Sequence, residues 1–272
     1  ITTLEDTAYT FTAADFGFTD PIDAANSSGA NALANVKIST LPIAGALTNN
    51  GIALNANDSV TVADINAGKL KFTPVADANK AGYASFTFQV QDNGGVANGG
   101  IDLDPSANTI TIDVTSVNDA PSGADKTITT LEDTAYTFTA ADFGFSDPID
   151  AANSSGANAL ANVKISTLPI AGALTNNGIA LNANDSVTVA DINAGKLKFT
   201  PVADANKAGY ASFTFQVQDN GGVANGGIDL DPSANTITID VTSVNDAPSG
   251  ADKTITTLED TAYTFTAADF GF

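Results

Sequence analysis

Almost all of the residues in this chain that could do chemistry are aspartates. Of its 31 acidic residues 28 are Asp, its ten cations are all Lys, and it has no Cys, His, Met or Trp. Without Cys or His, the chain has no disulfide, thiolate metal site, catalytic thiol or histidine base. The chemistry left to such a sequence is the binding of hard cations through oxygen atoms.

The charge balance excludes further classes of protein. A net charge of −21 with no Arg argues against binding to DNA or RNA, which requires cations that replace phosphate counterions. No apolar run approaches the roughly 18 residues of a membrane span, and no signal-peptide pattern opens the sequence. At 43% hydrophobic and 15% charged residues, the composition is that of a globular protein. We therefore expect no nucleic-acid partner and no membrane insertion.

The sequence repeats itself with a period of 127 residues. The segment ITTLEDTAYTFTAADFGF begins at Ile1, Ile128 and Ile255, and the two full periods differ only at Thr19 and Ser146. A period of this length corresponds to one whole domain per repeat. Near-identical tandem copies are typical of spacers and adhesive modules, so they favour a structural role over catalysis.

Each period reads as a series of short β-strands. Apolar and polar residues alternate in segments separated by Gly, Pro, Asn and Asp turn signals. In the second period these segments are 136–138, 163–166, 197–199, 213–217 and 237–241. Such a pattern predicts an all-β chain of tandem antiparallel β-sandwich domains whose alternating Phe and Tyr residues form the core. The Ala-rich pieces at 151–161 and 191–194 are too broken by polar residues for more than a helical turn.

A linker separates the repeats. Val-Asn-Asp-Ala-Pro-Ser-Gly at 117–123 recurs at 244–250, after the last strand of each period, and its Pro favours a stiff, extended chain. The predicted domains are 1–119 with a truncated first strand, 120–246, and the N-terminal strands of a truncated third repeat at 247–272. Because two strands bury too little surface to fold alone, we expect this last segment to dock on another element, such as a neighbouring chain.

Acidic side chains gather around the first linker. Since alternate strand ends of a sandwich lie at the same pole, acids from both repeats can meet there. The candidate ligands are Glu5, Asp77, Asn118, Asp119, Asp147, Asp150 and Asp219. So many carboxylates would repel one another unless a cation joined them. Ca²⁺ suits the set, because it takes about six to eight oxygen ligands, whereas Mg²⁺ prefers to keep its waters.

The chain resembles the cadherin family, and in particular the cadherin-like repeats of large bacterial adhesins of the RTX type. The residues that carry the resemblance are VNDAP at 117–121, LED at 131–133, DPID at 147–150, VQDNGG at 217–222 and DAN at 77–79. They are similar to the family's Asp-Val-Asn-Asp-Asn-Ala-Pro linker and to its Pro-Glu-Asn, Asp-x-Asp, Ala-x-Asp-x-Gly and Asp-Arg-Glu motifs. The linker is one Asn shorter, DPID has two intervening residues, and Asn79 replaces the Glu.

The resemblance implies immunoglobulin- or cadherin-like sandwiches stiffened by Ca²⁺ at each linker. It implies a stalk repeat of a bacterial cell-surface adhesin or extracellular filament, with neighbouring repeats as partners and adhesion to polysaccharide or host surfaces left to other domains. The same motifs extend the candidate ligands to Asp20, Asp23 and Asp92 in the first repeat and to Glu132, Asp204, Asn245 and Asp246 in the second.

Several alternatives stay open at this point. Asp and Asn also cap turns, so each single acid has a purely structural interpretation. A carbohydrate-binding module is a second functional hypothesis. Such a module needs exposed aromatic side chains, and the chain has no Trp and only five Tyr. A self-assembling filament subunit, joined end to end or by strand exchange, is a third. Enzymatic activity is the hypothesis that the sequence supports least.

Overall fold

The computed structural model describes residues 1–27, 29–153 and 156–271, which form two compact units. Unit 1 comprises Ile1–Ala124, Gly144–Lys164 and Gln216–Ala234, and unit 2 comprises Asp125–Phe143, Ile165–Phe215 and Asn235–Phe272. The domain boundaries near residues 119 and 246 stay a prediction.

The first repeat folds into short strands joined by tight turns. Its strands are β1 Thr2–Leu4, β2 Tyr9–Thr10, β3 Leu33–Ile38, β4 Ala46–Asn49, β5 Ile52–Ala53, β6 Ser59–Thr61, β7 Leu70–Thr73, β8 Lys80–Asp92 and β9 Asn108–Thr115. Its helices are α1 Pro21–Ala24 and α2 Val62–Asn66, with 3-10 turns at Ala13–Phe16 and Ala97–Gly99.

The second repeat forms the same elements in the same order. Its strands are β10 Lys126–Leu131, β11 Tyr136–Thr137, β12 Leu160–Ile165, β13 Ala173–Asn176, β14 Ile179–Ala180, β15 Ser186–Thr188, β16 Leu197–Thr200, β17 Lys207–Asp219 and β18 Asn235–Thr242. Its helices are α3 Pro148–Ala152 and α4 Val189–Asn193, with 3-10 turns at Ala140–Phe143 and Ala224–Gly226.

Each repeat carries one five-stranded and one four-stranded sheet. The orders are β1-β9-β8-β3-β6 and β2-β7-β4-β5 in the first repeat, and β10-β18-β17-β12-β15 and β11-β16-β13-β14 in the second. Most neighbours are antiparallel, which confirms the predicted all-β tandem sandwich. The first strand of each five-stranded sheet is parallel to its partner, as in β10, where Lys126 pairs with Ile237 and Leu131 with Thr242.

Apolar side chains from both sheets of unit 1 form its core, as the alternation predicts. Ile110, Ile112 and Val114 of β9 are buried while the residues between them are more exposed. Phe11 lies against Phe86 with ring centroids 5.7 Å apart in an edge-to-face arrangement. The aromatic residues of this alternation are therefore core residues.

The helices of the fold are short, and the side chain of the preceding residue caps the first turn of α1, α2 and α4. In α2 the Thr61 hydroxyl accepts a hydrogen bond from Asp64 N at 3.1 Å, which satisfies one of the free amides at the first turn. Of the two Ala-rich pieces, 191–194 lies at the end of the one-turn helix α4, as expected, whereas 151–161 contributes only its first two residues to α3 and its last two to β12, and residues 154–155 lie outside the described residues. The short strands β13, β14 and β15 were not predicted, because their sequences ALTN, IA and SVT do not place two apolar residues at alternate positions.

The segment 247–271 behaves differently from the two complete repeats. Its described residues contain a 3-10 turn at Ala267–Phe270 and no strand. The identical residues in β1 and β10 pair with the last strand of their own repeat, and 247–271 includes no such strand. The strands expected here do not form for that reason.

Gly45 offers a test of packing in unit 1. It has φ +74°, and an added Cβ would lie 2.5 Å from the Phe72 ring and 2.8 Å from Thr73 O, whereas Gly51 has φ +78° with nothing within 4 Å. We expect Gly51→Ala to lose about 1–2 kcal/mol through strained φ alone. Gly45→Ala should lose about 1–3 kcal/mol more through overpacking. Urea unfolding of both variants measures the difference, and equal losses would contradict this packing.

Candidate metal centre

The start of the linker is fixed by a buried glutamate. Glu5 follows β1 and is only 1% exposed. Its Oε1 accepts a hydrogen bond from Val117 N, and its Oε2 accepts one from Asn79 Nδ2 at 2.7 Å. Both carboxylate oxygens are thus held by the same repeat, and the linker leaves β9 in a defined direction.

Three aspartates converge where the linker passes this end of the first repeat. Carboxylate oxygens of Asp6, Asp77 and Asp119 all lie within 4.8 Å of one another. Asp77 N donates to Asp6 Oδ1 at 3.2 Å, and both residues have left-handed backbones with φ of 56° and 58°. Asp tolerates that conformation better than most residues, so two tight turns bring these carboxylates together.

The other side of the linker is bound to acids of the second repeat, within the same unit. Asn118 Nδ2 donates to Asp219 Oδ1 at 3.2 Å and to Ile228 O at 2.8 Å, and Ile228 N donates to Asn118 O at 2.8 Å. Asp119 N donates to Asp150 Oδ2 at 3.0 Å. Two adjacent linker residues therefore engage acids that lie 31 and 101 residues further along the chain.

Local structure positions these second-repeat acids. Asp147 precedes α3, where Pro148 occupies the first turn, and its Oδ2 accepts from Asn158 N at 2.7 Å. Asp150 lies inside α3 and accepts from Asn158 Nδ2 at 3.0 Å. Asp219 ends β17, and its Oδ1 accepts from Gly221 N at 2.7 Å. All three acids are buried, at 6%, 3% and 3% exposure respectively.

The centre carries negative charge that its own hydrogen bonds do not balance. Asp119 Oδ2 and Asp147 Oδ1 are buried and, among the described residues, have no hydrogen-bond partner. Burial raises the pKa of Asp119 to about 6, with further contributions from the charges of Asp77, Asp150, Glu5 and Asp6. Burial is also the main cause that raises the pKa of Asp147 and the pKa of Asp219.

These features fit a hard cation. Unpartnered buried carboxylate oxygens are costly, and several of them facing one region are costlier still. Carboxylate and amide oxygens are the ligands that Ca²⁺ takes. The residues present can therefore hold Ca²⁺, with Asp119 contributing to both sides of the linker.

Identical acids elsewhere in the chain lie in different surroundings. Asp20, Asp23 and Asp92 correspond to Asp147, Asp150 and Asp219 in sequence but are only partly buried. Their described hydrogen bonds are local: Asn31 N donates to Asp20 Oδ2 at 2.8 Å, and Gly94 N donates to Asp92 Oδ1 at 2.7 Å.

A second copy of the three-aspartate cluster lies in unit 2. Carboxylate oxygens of Asp133, Asp204 and Asp246 are within 4.8 Å of one another, and all three residues are exposed. Glu132 is buried, and its oxygens accept from Val244 N and from Asn206 Nδ2 at 2.7 Å, as Glu5 does in unit 1. Asn245 is exposed. The first half of the centre thus recurs here on the second repeat's own residues.

Sequence reasoning missed three polar residues of these clusters. Asp6 and Asp133 stand inside the Leu-Glu-Asp tripeptides that were singled out, but only the preceding Glu was chosen as a candidate. Asn158 bonds to Asp147, Asp150 and Asn118, and lies in an irregular loop 8 residues beyond Asp150. The signal available for the first two was a second acid directly after the chosen Glu, whereas nothing in the sequence marked Asn158.

Comparison with known proteins gives only distant structural similarity. No protein-family model and no curated protein matches the chain. A structure of human mucin-like protocadherin EC1-2 aligns at 15% identity over 78% of this chain and 85% of its own, with a TM-score of 0.35. The human desmocollin-1 ectodomain aligns at 12% identity over 88% and 38%, with a TM-score of 0.30. Domains 4 and 5 of the S-layer protein SbsC align at 10% identity over 77% and 97%, with a TM-score of 0.24. The fold description therefore rests on the strand order and register given above.

The part of the chain that the structure describes includes no helix with the length and apolar character needed to cross a membrane.

The raised pKa of Asp119 predicts an unusual pH dependence in the presence of chelator. A carboxyl whose pKa is about 6 in the folded state and 3.8 in the unfolded state binds its proton more tightly when folded. The unfolding free energy should therefore fall as the pH rises from 3.8 to about 6. Urea unfolding across this range measures the slope, and Asp119→Asn should flatten it. An unchanged slope in that variant would contradict the assignment.

Proposed function

We propose that the chain is a stalk segment of an extracellular surface protein, in which Ca²⁺ stiffens each linker between tandem sandwiches. The observation that carries this proposal is the meeting of Asp119 with Asp6 and Asp77 on one side and with Asp150 on the other. Acids buried against the linker have no purpose in a repeat that acts as an independent domain. In a stalk, by contrast, they fix the path of the chain between consecutive repeats.

The chain's own residues divide the work at this joint. Glu5 holds the start of the linker by accepting the Val117 amide, and Asn118 ties the linker to Asp219 and Ile228. Asp119 offers its buried Oδ2. The bound ion would supply positive charge shared by these carboxylates, which removes their mutual repulsion.

We extend the proposal to the cellular setting. Acidic, Cys-free tandem repeats suit a long extracellular stalk of the bacterial adhesin type, in which neighbouring repeats of the same polypeptide are the immediate partners. Binding of polysaccharides or host surfaces would belong to other domains of such a protein. The proposal assigns the chain no catalytic role and no nucleic-acid partner.

The proposal predicts that Ca²⁺ stabilises unit 1 through acids that the linker covers. Asp147→Asn should abolish most of the stabilisation, because it removes a buried carboxylate of the centre. The stabilisation itself should reach about 2.7 kcal/mol when free Ca²⁺ is a hundredfold above its Kd. Urea unfolding with Ca²⁺ and with chelator measures it.

The repeat supplies a matched control for this prediction. Asp20→Asn changes the same residue in the same local sequence, but Asp20 lies outside the linker's hydrogen bonds in the structure. It should keep the Ca²⁺ effect. Equal loss in both variants, or no Ca²⁺ effect in the unmodified chain, would overturn the proposal.

Stiffening also predicts a change in solution scattering. Ca²⁺ should narrow the distribution of maximum dimensions of the chain, since the ion selects one arrangement of the linker. Small-angle X-ray scattering with Ca²⁺ and with chelator measures this, and Asp119→Asn should make the two data sets alike. Identical scattering of the unmodified chain in both conditions would argue against a stiffening role.

A further inference from the structure

The first repeat has an open groove beside the acids described above. The groove holds about 610 Å³, and its walls are formed by residues 15–22 and 101–105. Phe88 and Val90 of β8 line it between the walls, and Asn108 adds to one side. The groove lies entirely within unit 1.

In the second repeat, residues 122–124 contact Gly144, Ser146 and Asp231, the counterparts of groove residues, and all of these residues belong to unit 1. Ser122 and Ser146 exchange two backbone hydrogen bonds, each 2.8 Å long. Gly123 N donates to Asp231 Oδ2 at 2.8 Å. A Cβ added to Gly144 would lie 2.6 Å from the Cβ of Ala124, so the segment is in close contact with this wall.

The two surfaces have the same residues except for Thr19 and Ser146, but their exposure differs. Val217 is fully buried and Asp231, which accepts from Gly123, is 1% exposed, whereas Val90 and Asp104 are only partly buried. A Cβ added to Gly17, the counterpart of Gly144, meets nothing within 4 Å. The groove of the first repeat therefore has the shape and the hydrogen-bonding groups for the same peptide segment.

That peptide segment occurs a second time in the chain, at residues 247–253. Ala-Pro-Ser-Gly-Ala-Asp-Lys at 120–126 is repeated there without change, and residues 247–253 are all exposed. Within the chain, however, Lys253 already pairs with Asp269, and Ala251 lies close to Gly271. Docking into the groove would exchange these two contacts for the equivalent ones with Asp15 and Gly17.

We propose that the groove of the first repeat binds residues 247–253 of a second copy of this chain, which joins copies head to tail. Ser249 would pair with Thr19, and Gly250 N would donate to Asp104, as Ser122 and Gly123 do in the second repeat. Thr19 is where the two repeats differ, and Thr supplies the same backbone groups as Ser146. None of these contacts uses a metal ligand of the proposed joint, so the inference goes beyond the proposed function.

The direct test uses the free peptide APSGADK, which has the sequence of residues 247–253. Titration of the ¹⁵N-labelled 272-residue chain in chelator should shift the amide signals of Gly17, Thr19 and Asp104 in a saturable way. Gly17→Asn should weaken binding at least tenfold, because its side chain occupies the place that Ala124 takes beside Gly144. Asn tolerates the left-handed backbone that this glycine has at φ +56°.

A matched variant controls for backbone effects. Gly82 has φ +61° and nothing within 4 Å of an added Cβ, and it lies outside the groove. Gly82→Asn should bind the peptide as the unmodified chain does. Shifts that are absent in the unmodified chain, or that Gly17→Asn leaves unchanged, would overturn the proposal.

Sedimentation tests the assembly itself. In chelator, the mean mass of the full chain should rise with concentration, less steeply for Gly17→Asn and as before for Gly82→Asn. A chain that stays monomeric at millimolar concentration, or that associates equally in all three forms, would contradict head-to-tail docking. Because chelator removes Ca²⁺, failure here leaves the stiffening proposal standing, and failure of the Ca²⁺ experiments leaves this one standing.

Discussion

The structure around the first linker depends on the electrostatic repulsion between several carboxylates in a partly desolvated site. Asp119 has one oxygen with no hydrogen-bond partner among the described residues, and Asp147 has another. Repulsion between like charges grows as water is removed, so these groups are stable as anions only if something positive joins them. None of the four described ion pairs involves an acid of this centre, since they link Lys to Asp64, Asp142, Asp191 and Asp269. The shortage of local cations is the physical basis for the proposed Ca²⁺ joint.

The hydrogen bonds around the linker separate two kinds of acid. Glu5 is satisfied by Val117 N and Asn79 Nδ2, and it acts as a clamp on the backbone. The side chain of Asp119 has no such pair of donors among the described residues, and its backbone N–H donates to Asp150. A carboxylate with two donors is stable when buried, whereas one with a bare oxygen is raised in pKa. Glu5 thus fixes the path of the linker, whereas Asp119 keeps an oxygen without a described hydrogen-bond partner, where the proposed cation would bind.

The sequence predicted the longer strands because their alternation is local. In β17 the alternating buried residues include Phe213, Phe215 and Val217. In β18 they are Ile237, Ile239 and Val241. It also predicted that acids from the two repeats would meet at 118–119, since strand ends at one pole must be near each other. It could not predict Asn158, whose contact with Asn118 depends on the path of an irregular loop, nor the parallel pairing of β1 with β9.

Equivalent residues of the repeats differ in burial, which shows that burial depends on the contacts a residue makes and not on its identity alone. Asp219 and Asp92 end corresponding strands in the two repeats, and each accepts a hydrogen bond from the glycine two residues further on. Only Asp219 is buried, because Asn118 of the linker lies against it. The same holds for Phe265, which is 58% exposed although its counterparts Phe11 and Phe138 are core residues. A pattern of apolar positions specifies which face of a strand can be buried, but the partner that buries it lies far along the chain or on another copy. In a repeat protein each segment therefore has several equivalent partners, and covalent proximity, cation binding and concentration together decide which of them it takes.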